Sequence, residues 1–252
     1  MENTYELNNI DENFGKKNPQ LNYEKKYSAK QKFFAELIGT TILIFVIELF
    51  ETFMYQYSRY YEYSSTNIIY QGNLILIPIT FIFGKISGAH FNPAISLAKF
   101  LRKKIIFSEL GYYIGAQILG SFIGSLFVFL CIQGKIENMY YLYKQISKID
   151  EVEEYLILLA FDVFYTFIYV LVFFATNTKR NKNWALSGFI IGITFYIFST
   201  FNYLTVLNPM RRFFLNIIGA IKLKGNIGII LVEFFGPFIG AIAAGFMSIL
   251  FE

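Results

Sequence analysis

The 252-residue chain has one cysteine, Cys131, and one histidine, His90. A lone cysteine excludes an internal disulfide framework and any multi-cysteine metal centre, and a lone histidine excludes a His cluster. No set of nucleophile, base and metal ligand stands out. Neither enzymatic catalysis, a metal nor any other cofactor is therefore expected. Charge is also scarce, at 16% of residues against 55% hydrophobic, which is too little for a soluble domain of this length. The first 30 residues lack an apolar core and a small-residue cleavage site. They hold acids but no arginine, so neither a cleaved signal peptide nor a transit peptide is expected.

Long apolar stretches fill the rest. About 20 apolar residues in a helix cross the ~30 Å hydrocarbon layer. Spans are expected at 33–55, 67–83, 107–131, 155–176, 184–201 and 227–250, the second kinked by Pro78. Polar links fall at 56–66, at 178–183 and in the long acidic stretch before Tyr155. The stretch 84–91 is too polar and Gly-rich for lipid-exposed helix. Pro93 then opens a short helix, because proline suits a first turn whose N–H is unpaired anyway. Asn208-Pro209 repeats the arrangement, with a short apolar helix expected over 209–220.

Span, span, short helix, span thus occurs twice, an internal repeat of about half the chain. The polar tail is expected over 1–30 and the membrane domain over 31–252, with repeats at about 33–131 and 155–250. Three spans per half put the second half upside down. Most of the 22 basic residues lie in the tail, around the first Asn-Pro and in the 178–183 turn, for example Lys30, Lys32, Lys85, Lys99, Arg102, Lys103, Lys104 and Arg180. Short basic loops stay cytoplasmic, so both termini are expected there. The net charge of +4 is then topological, and no nucleic-acid partner is expected.

Two Asn-Pro elements in matching places of inverted halves, Asn92-Pro93-Ala94 and Asn208-Pro209-Met210, are the most specific signal. Nonhelical backbone at membrane depth is tolerated only inside protein or along a water-filled cavity. The stretch Ser87-Gly88-Ala89-His90-Phe91-Asn92-Pro93-Ala94 resembles the first signature of the aquaporin, or major intrinsic protein, family. Ala35-Glu36, Ala116-Gln117 and Gly236-Pro237-Phe238-Ile239-Gly240 are similar to further family fragments.

The resemblance implies an all-α membrane fold of six transmembrane helices plus two re-entrant half-helices in an inverted repeat. It implies that Asn92 and Asn208 donate hydrogen bonds to a passing water at the midplane, each capping a half-helix whose end carries roughly +0.5 charge. Arg211 takes the place of the selectivity-filter arginine, with Thr205 at the loop position and Gly72 at the second-span position. For the fifth span, spacing from Asn208 points to Tyr196 and alignment on Gly192 points to Ser199, with Tyr196 preferred. His90 is expected to line a vestibule. Glu36 and Asp162 are expected to buttress the two re-entrant loops, and Arg212 to be a structural or outward-facing charge.

The implied function is a passive channel that conducts water and excludes protons and ions. The alternative is an aquaglyceroporin-type facilitator for glycerol or other small neutral solutes. Arg212 stands where polyol-conducting relatives carry Asp, which favours water, whereas Gly72 and Ser199 would widen the constriction. Met210, replacing Ala, crowds the midplane. The expected setting is a homotetramer in a lipid bilayer, the plasma membrane.

Overall fold

The computed structural model describes residues 27–61, 70–133, 151–176, 183–201, 205–223 and 226–250, and every regular element among them is helical. Helix α1 is Ala29–Tyr61. A 3-10 segment, Tyr70–Ile75, runs into α2, Leu76–Ser87. The short α3, Pro93–Leu101, precedes α4, Phe107–Cys131. In the second half, α5 is Val152–Thr176 and α6 is Trp184–Phe201. The short α7, Phe213–Leu223, is followed by α8, Ile227–Ile249. Helices α1, α4, α5 and α8 are each long and apolar enough to cross a bilayer; α2, with its 3-10 lead, and α6 are shorter apolar helices.

Helix α1 packs along α4 and α5 along α8, the equivalent pairs of the two halves, while α2 against α6 joins the halves. Both short helices lie against α4 and α8. This is the pairing an inverted repeat requires. Burial is inverted relative to a soluble protein. Phe81, Phe107, Phe164 and Phe246 are exposed on the outside, whereas Glu36, Gln117, Asn92, Asn208 and Arg211 are buried within. Lipid solvates the first group and can satisfy none of the second.

Small residues let the paired backbones touch. A Cβ built on Gly120 would lie 2.6 Å from the Leu37 carbonyl oxygen of α1, and one on Gly240 would lie 2.3 Å from the Val163 carbonyl oxygen of α5. A Cβ on Gly111 or Gly115 of α4, by contrast, would meet nothing within 4 Å. Gly120→Ala is therefore expected to cost about 1–3 kcal/mol through overpacking against backbone. Gly115→Ala should cost nothing, since alanine is the better helix former. Thermal unfolding of the detergent-solubilised protein checks this, and equal shifts for the two variants would refute it.

Several boundaries differ from the sequence reading. Helix α1 continues to Tyr61, through part of the link expected at 56–66, and α5 begins at Val152. The second span opens as 3-10 helix, and its α-helical part includes residues 84–87, which were expected to be nonhelical. Gly84 is helical because it lies under the Trp184 ring, where no side chain would fit. Pro78 is the third residue of α2 and follows the 3-10 segment directly, so its missing N–H falls where the helix changes type. The second short helix begins at Phe213 and not at Pro209, because residues 209–212 form turns. The tail at 1–26, residues 62–69, and most of the links at 134–150 and 177–182 lie outside the described residues.

Candidate functional site

The two Asn-Pro elements meet inside the bundle. Asn92 caps α3, its Oδ1 accepting the Ala94 N–H at 2.9 Å. Asn208 Oδ1 likewise accepts the Met210 N–H at 3.0 Å. With each oxygen engaged locally, each amide nitrogen faces the opposite loop. Asn92 Nδ2 donates to the Leu207 carbonyl at 2.9 Å, and Asn208 Nδ2 donates to the Phe91 carbonyl, also at 2.9 Å. The two bonds are related by the repeat. A carboxamide has two N–H donors, so each asparagine keeps one beyond the crossing bond.

The loop conformations that allow this crossing are costly. Gly88, Ala89 and Phe91 have φ of 87°, 48° and 47°, and Leu207 has 59°. Non-glycine residues hold the left-handed region only where their surroundings enforce it. Glu36 does so for the first loop. Its Oε1 accepts the Ser87 hydroxyl at 2.6 Å and the His90 N–H at 3.0 Å; its Oε2 accepts the Phe91 N–H at 2.7 Å and Gln117 Nε2 at 2.8 Å. Asp162 accepts the Val206 N–H at 2.9 Å in the second loop. Gly236 of α8 packs against it, where a Cβ would meet the Asp162 Cβ at 2.7 Å.

His90, expected to line a vestibule, is 4% exposed. Its Nδ1 is 3.1 Å from the Ser96 hydroxyl, and its ring packs 4.5 Å from that of Tyr113 and 5.9 Å from that of Phe173. The loop turns it into the packing beneath α3, where the short Ser96 side chain leaves room for it. Gln117 joins the same network, donating to Ser96 Oγ at 2.9 Å.

A second polar cluster lies at the other end of α1. Arg211 is 1% exposed. Its Nη1 donates to Ser199 Oγ at 3.0 Å and to the Thr205 carbonyl at 3.2 Å, and its Nη2 pairs with Glu51 Oε1 at 2.5 Å. Arg212 is buried beside it, with Nε 3.3 Å from Glu51 Oε2 and Nη1 3.1 Å from Glu233 Oε1. Asn216 donates to the other Glu233 oxygen. Successive helical residues point in different directions, so two adjacent arginines reach one carboxylate only if the backbone between them is not helical. That requirement accounts for the turns at 209–212 and the late start of α7.

Around Arg211 the residues differ from those the spacing suggested. Ser199, and not Tyr196, bonds the guanidinium; Ile191, Gly192, Phe195 and Ser199 share the buried face of α6, and Tyr196 stands partly off it. Gly72 is packed against α1, where a Cβ would meet Phe50 Cβ at 2.8 Å. Its neighbour Asn73 is 1% exposed, and neither polar atom of its amide has a hydrogen-bond partner. Thr205 is buried, with its hydroxyl also unpartnered, and Met210 is buried. Asn73 and the role of Glu51 were missed from sequence. An acid inside an apolar helix was the available signal for Glu51; Asn73 had none.

The model of the major intrinsic protein family matches residues 23–248. Similar proteins include the probable aquaporin NIP4-2 of Arabidopsis thaliana, 26% identical over 236 residues that cover 86% of this chain and 73% of that one. The glycerol uptake facilitator protein-like 6 of Lactiplantibacillus plantarum is 27% identical over 235 residues, covering 86% and 96%. The X-ray structure of the aquaglyceroporin from Plasmodium falciparum shares the fold, with a TM-score of 0.69 at 18% identity over 88% of this chain and 96% of that chain. A family match over nearly the whole length, on a helical fold shared with a solved channel, makes this chain a member of the major intrinsic protein family, whose members are membrane channels and not enzymes.

Proposed function

We propose that the chain conducts water down osmotic gradients while excluding protons and ions. The supporting observation is the crossed pair of asparagines, each with one amide N–H committed to the opposite loop and one left over. The α3 N-terminus at Asn92 and the two spare amide N–H donors set a positive potential there against cations. Donors reaching in from opposite loops also give a water file opposite orientations on its two sides, which breaks proton hopping. Arg211 adds a second barrier to cations, and Thr205 lies beside it.

A second reading, passage of glycerol or a similar small neutral solute, draws on the Arg211 surroundings. Ser199, which meets Arg211, is small and polar, and Asn73 on the 3-10 segment before α2 offers an unpartnered amide. The similarity to a glycerol uptake facilitator points the same way. Both readings place the chain in a bilayer, in the plasma membrane as a homotetramer. Cytoplasmic termini fit the basic end, where Lys32 pairs with Glu109 at 2.7 Å and Arg102 lies 4.2 Å from the Phe174 ring.

Swelling of proteoliposomes under parallel water and glycerol gradients tests both readings. The expected result is water flux well above that of empty vesicles, with no added proton leak. Water flux equal to that of empty vesicles would overturn the main reading, and glycerol flux equal to theirs would overturn the second.

A further inference from the structure

We infer that Glu51 is a positioning residue that decides which solutes pass Arg211, by holding the guanidinium against α1. The inference rests on the channel reading above. Arg211 is held from two sides. Ser199 and the Thr205 carbonyl take Nη1 on the α6 and loop side, and Glu51 takes Nη2 on the α1 side. Arg211 Nε has no partner although the residue is 1% exposed. A buried donor without a protein partner is satisfied by water or by a passing solute. With both terminal nitrogens tied, Nε is the edge of the guanidinium left for that contact.

Glu51 is itself immobilised. Its second oxygen pairs with Arg212 at 3.3 Å, and Arg212 is anchored by Glu233 at 3.1 Å. Two arginines and two acids thus form one buried, charge-balanced group linking α1, the second loop and α8. Bidentate and paired guanidinium contacts hold geometry as well as charge. No other group accepts from Arg211 Nη2 among the described residues.

In Glu51→Gln one amide oxygen must serve two guanidinium groups while the amide nitrogen is set against one of them, so the charge-assisted hold on Nη2 is lost and the side chain is fixed chiefly at Nη1. A guanidinium free to swing into the constriction obstructs a solute the size of glycerol more than it obstructs water. Polyol passage therefore falls ahead of water passage.

The test is the glycerol-to-water permeability ratio of the full-length protein in liposomes, for wild type, Glu51→Gln and Glu233→Gln. Glu233→Gln weakens the same cluster through Arg212 and Asn216 but removes no contact of Arg211. The expected result is a ratio lowered about tenfold in Glu51→Gln and unchanged in Glu233→Gln. If Glu51→Gln does not reconstitute, Glu51→Asp is read in its place, with a smaller fall expected because the shorter side chain keeps the charge but not the reach. Equal ratios in all variants, or equal shifts in Glu51→Gln and Glu233→Gln, would assign Glu51 to packing alone and overturn the inference. A wild type that conducts neither solute would overturn the channel reading, and this inference with it.

Discussion

Glu36→Ala is expected to leave the first re-entrant loop without its support and to lower the thermal unfolding midpoint by about 10 °C or more. Four donors converge on the two Glu36 oxygens: the Ser87 hydroxyl, the His90 and Phe91 N–H groups and the Gln117 amide. None has water to turn to in a fully buried site. Each donor left unsatisfied costs about 1–3 kcal/mol, so the sum is comparable with the ~5–15 kcal/mol that holds a typical fold together. In a chain of this size 1 kcal/mol moves the midpoint by about 2–4 °C. Glu36→Gln should be intermediate, because one amide oxygen still accepts while the amide nitrogen is set against two donors. Asp162→Ala removes only the bonds from the Val206 and Leu207 backbone N–H groups and should cost less than either. Unfolding scans in detergent, with flux per reconstituted molecule as a second readout, check the order. A Glu36→Ala midpoint within a few degrees of wild type would refute it.

Asn208→Asp should reduce water flux about tenfold or more, because 1.4 kcal/mol added to a barrier is already tenfold. The substitution keeps the shape and the cap on the Met210 N–H. It replaces the donor that meets the Phe91 carbonyl with an acceptor, so two oxygens face each other where a 2.9 Å bond stood. The donor left for water is lost in the same step, and a negative charge is placed beside the α3 N-terminus that repels cations. Stopped-flow light scattering reads the flux, and a pH-sensitive dye inside the vesicles should report an added proton leak. Asn92→Asp should behave alike, since its bond to the Leu207 carbonyl has the same length and the mirrored place. A loss confined to one of the two would contradict the two-fold relation. Wild-type flux in both would remove the asparagines from the conduction path.

Much of the fold was legible because the bilayer simplifies the code. Lipid-facing helices must be apolar along most of their length, so α4 and α6 could be delimited from hydropathy alone at Phe107–Cys131 and Trp184–Phe201. The paired Asn-Pro motifs singled out Asn92 and Asn208, and the family resemblance they carry pointed to Glu36, Asp162 and Arg211. Spacing failed where the chain departs from a uniform helix. Counting back from Asn92 led to Gly72, but a 3-10 segment turns about 120° per residue and not 100°, which shifts the facing position. Counting back from Asn208 led to Tyr196, but Ser199 lies on the buried face of α6 and meets Arg211.

The sequence by itself determined the number and kind of helices, the repeat, the paired Asn-Pro elements and the acids that stand against them. These are one-dimensional features, carried by hydropathy, proline placement and short motifs. Only the tertiary structure decided which groups meet across the halves. It put each asparagine on the opposite loop's carbonyl, Ser199 and Glu51 on Arg211, and Arg212 between Glu51 and Glu233. Partners up to 161 residues apart in the chain are chosen by how the helices cross and by the demand that each buried charge find its complement. Neither condition is written in any local stretch of residues.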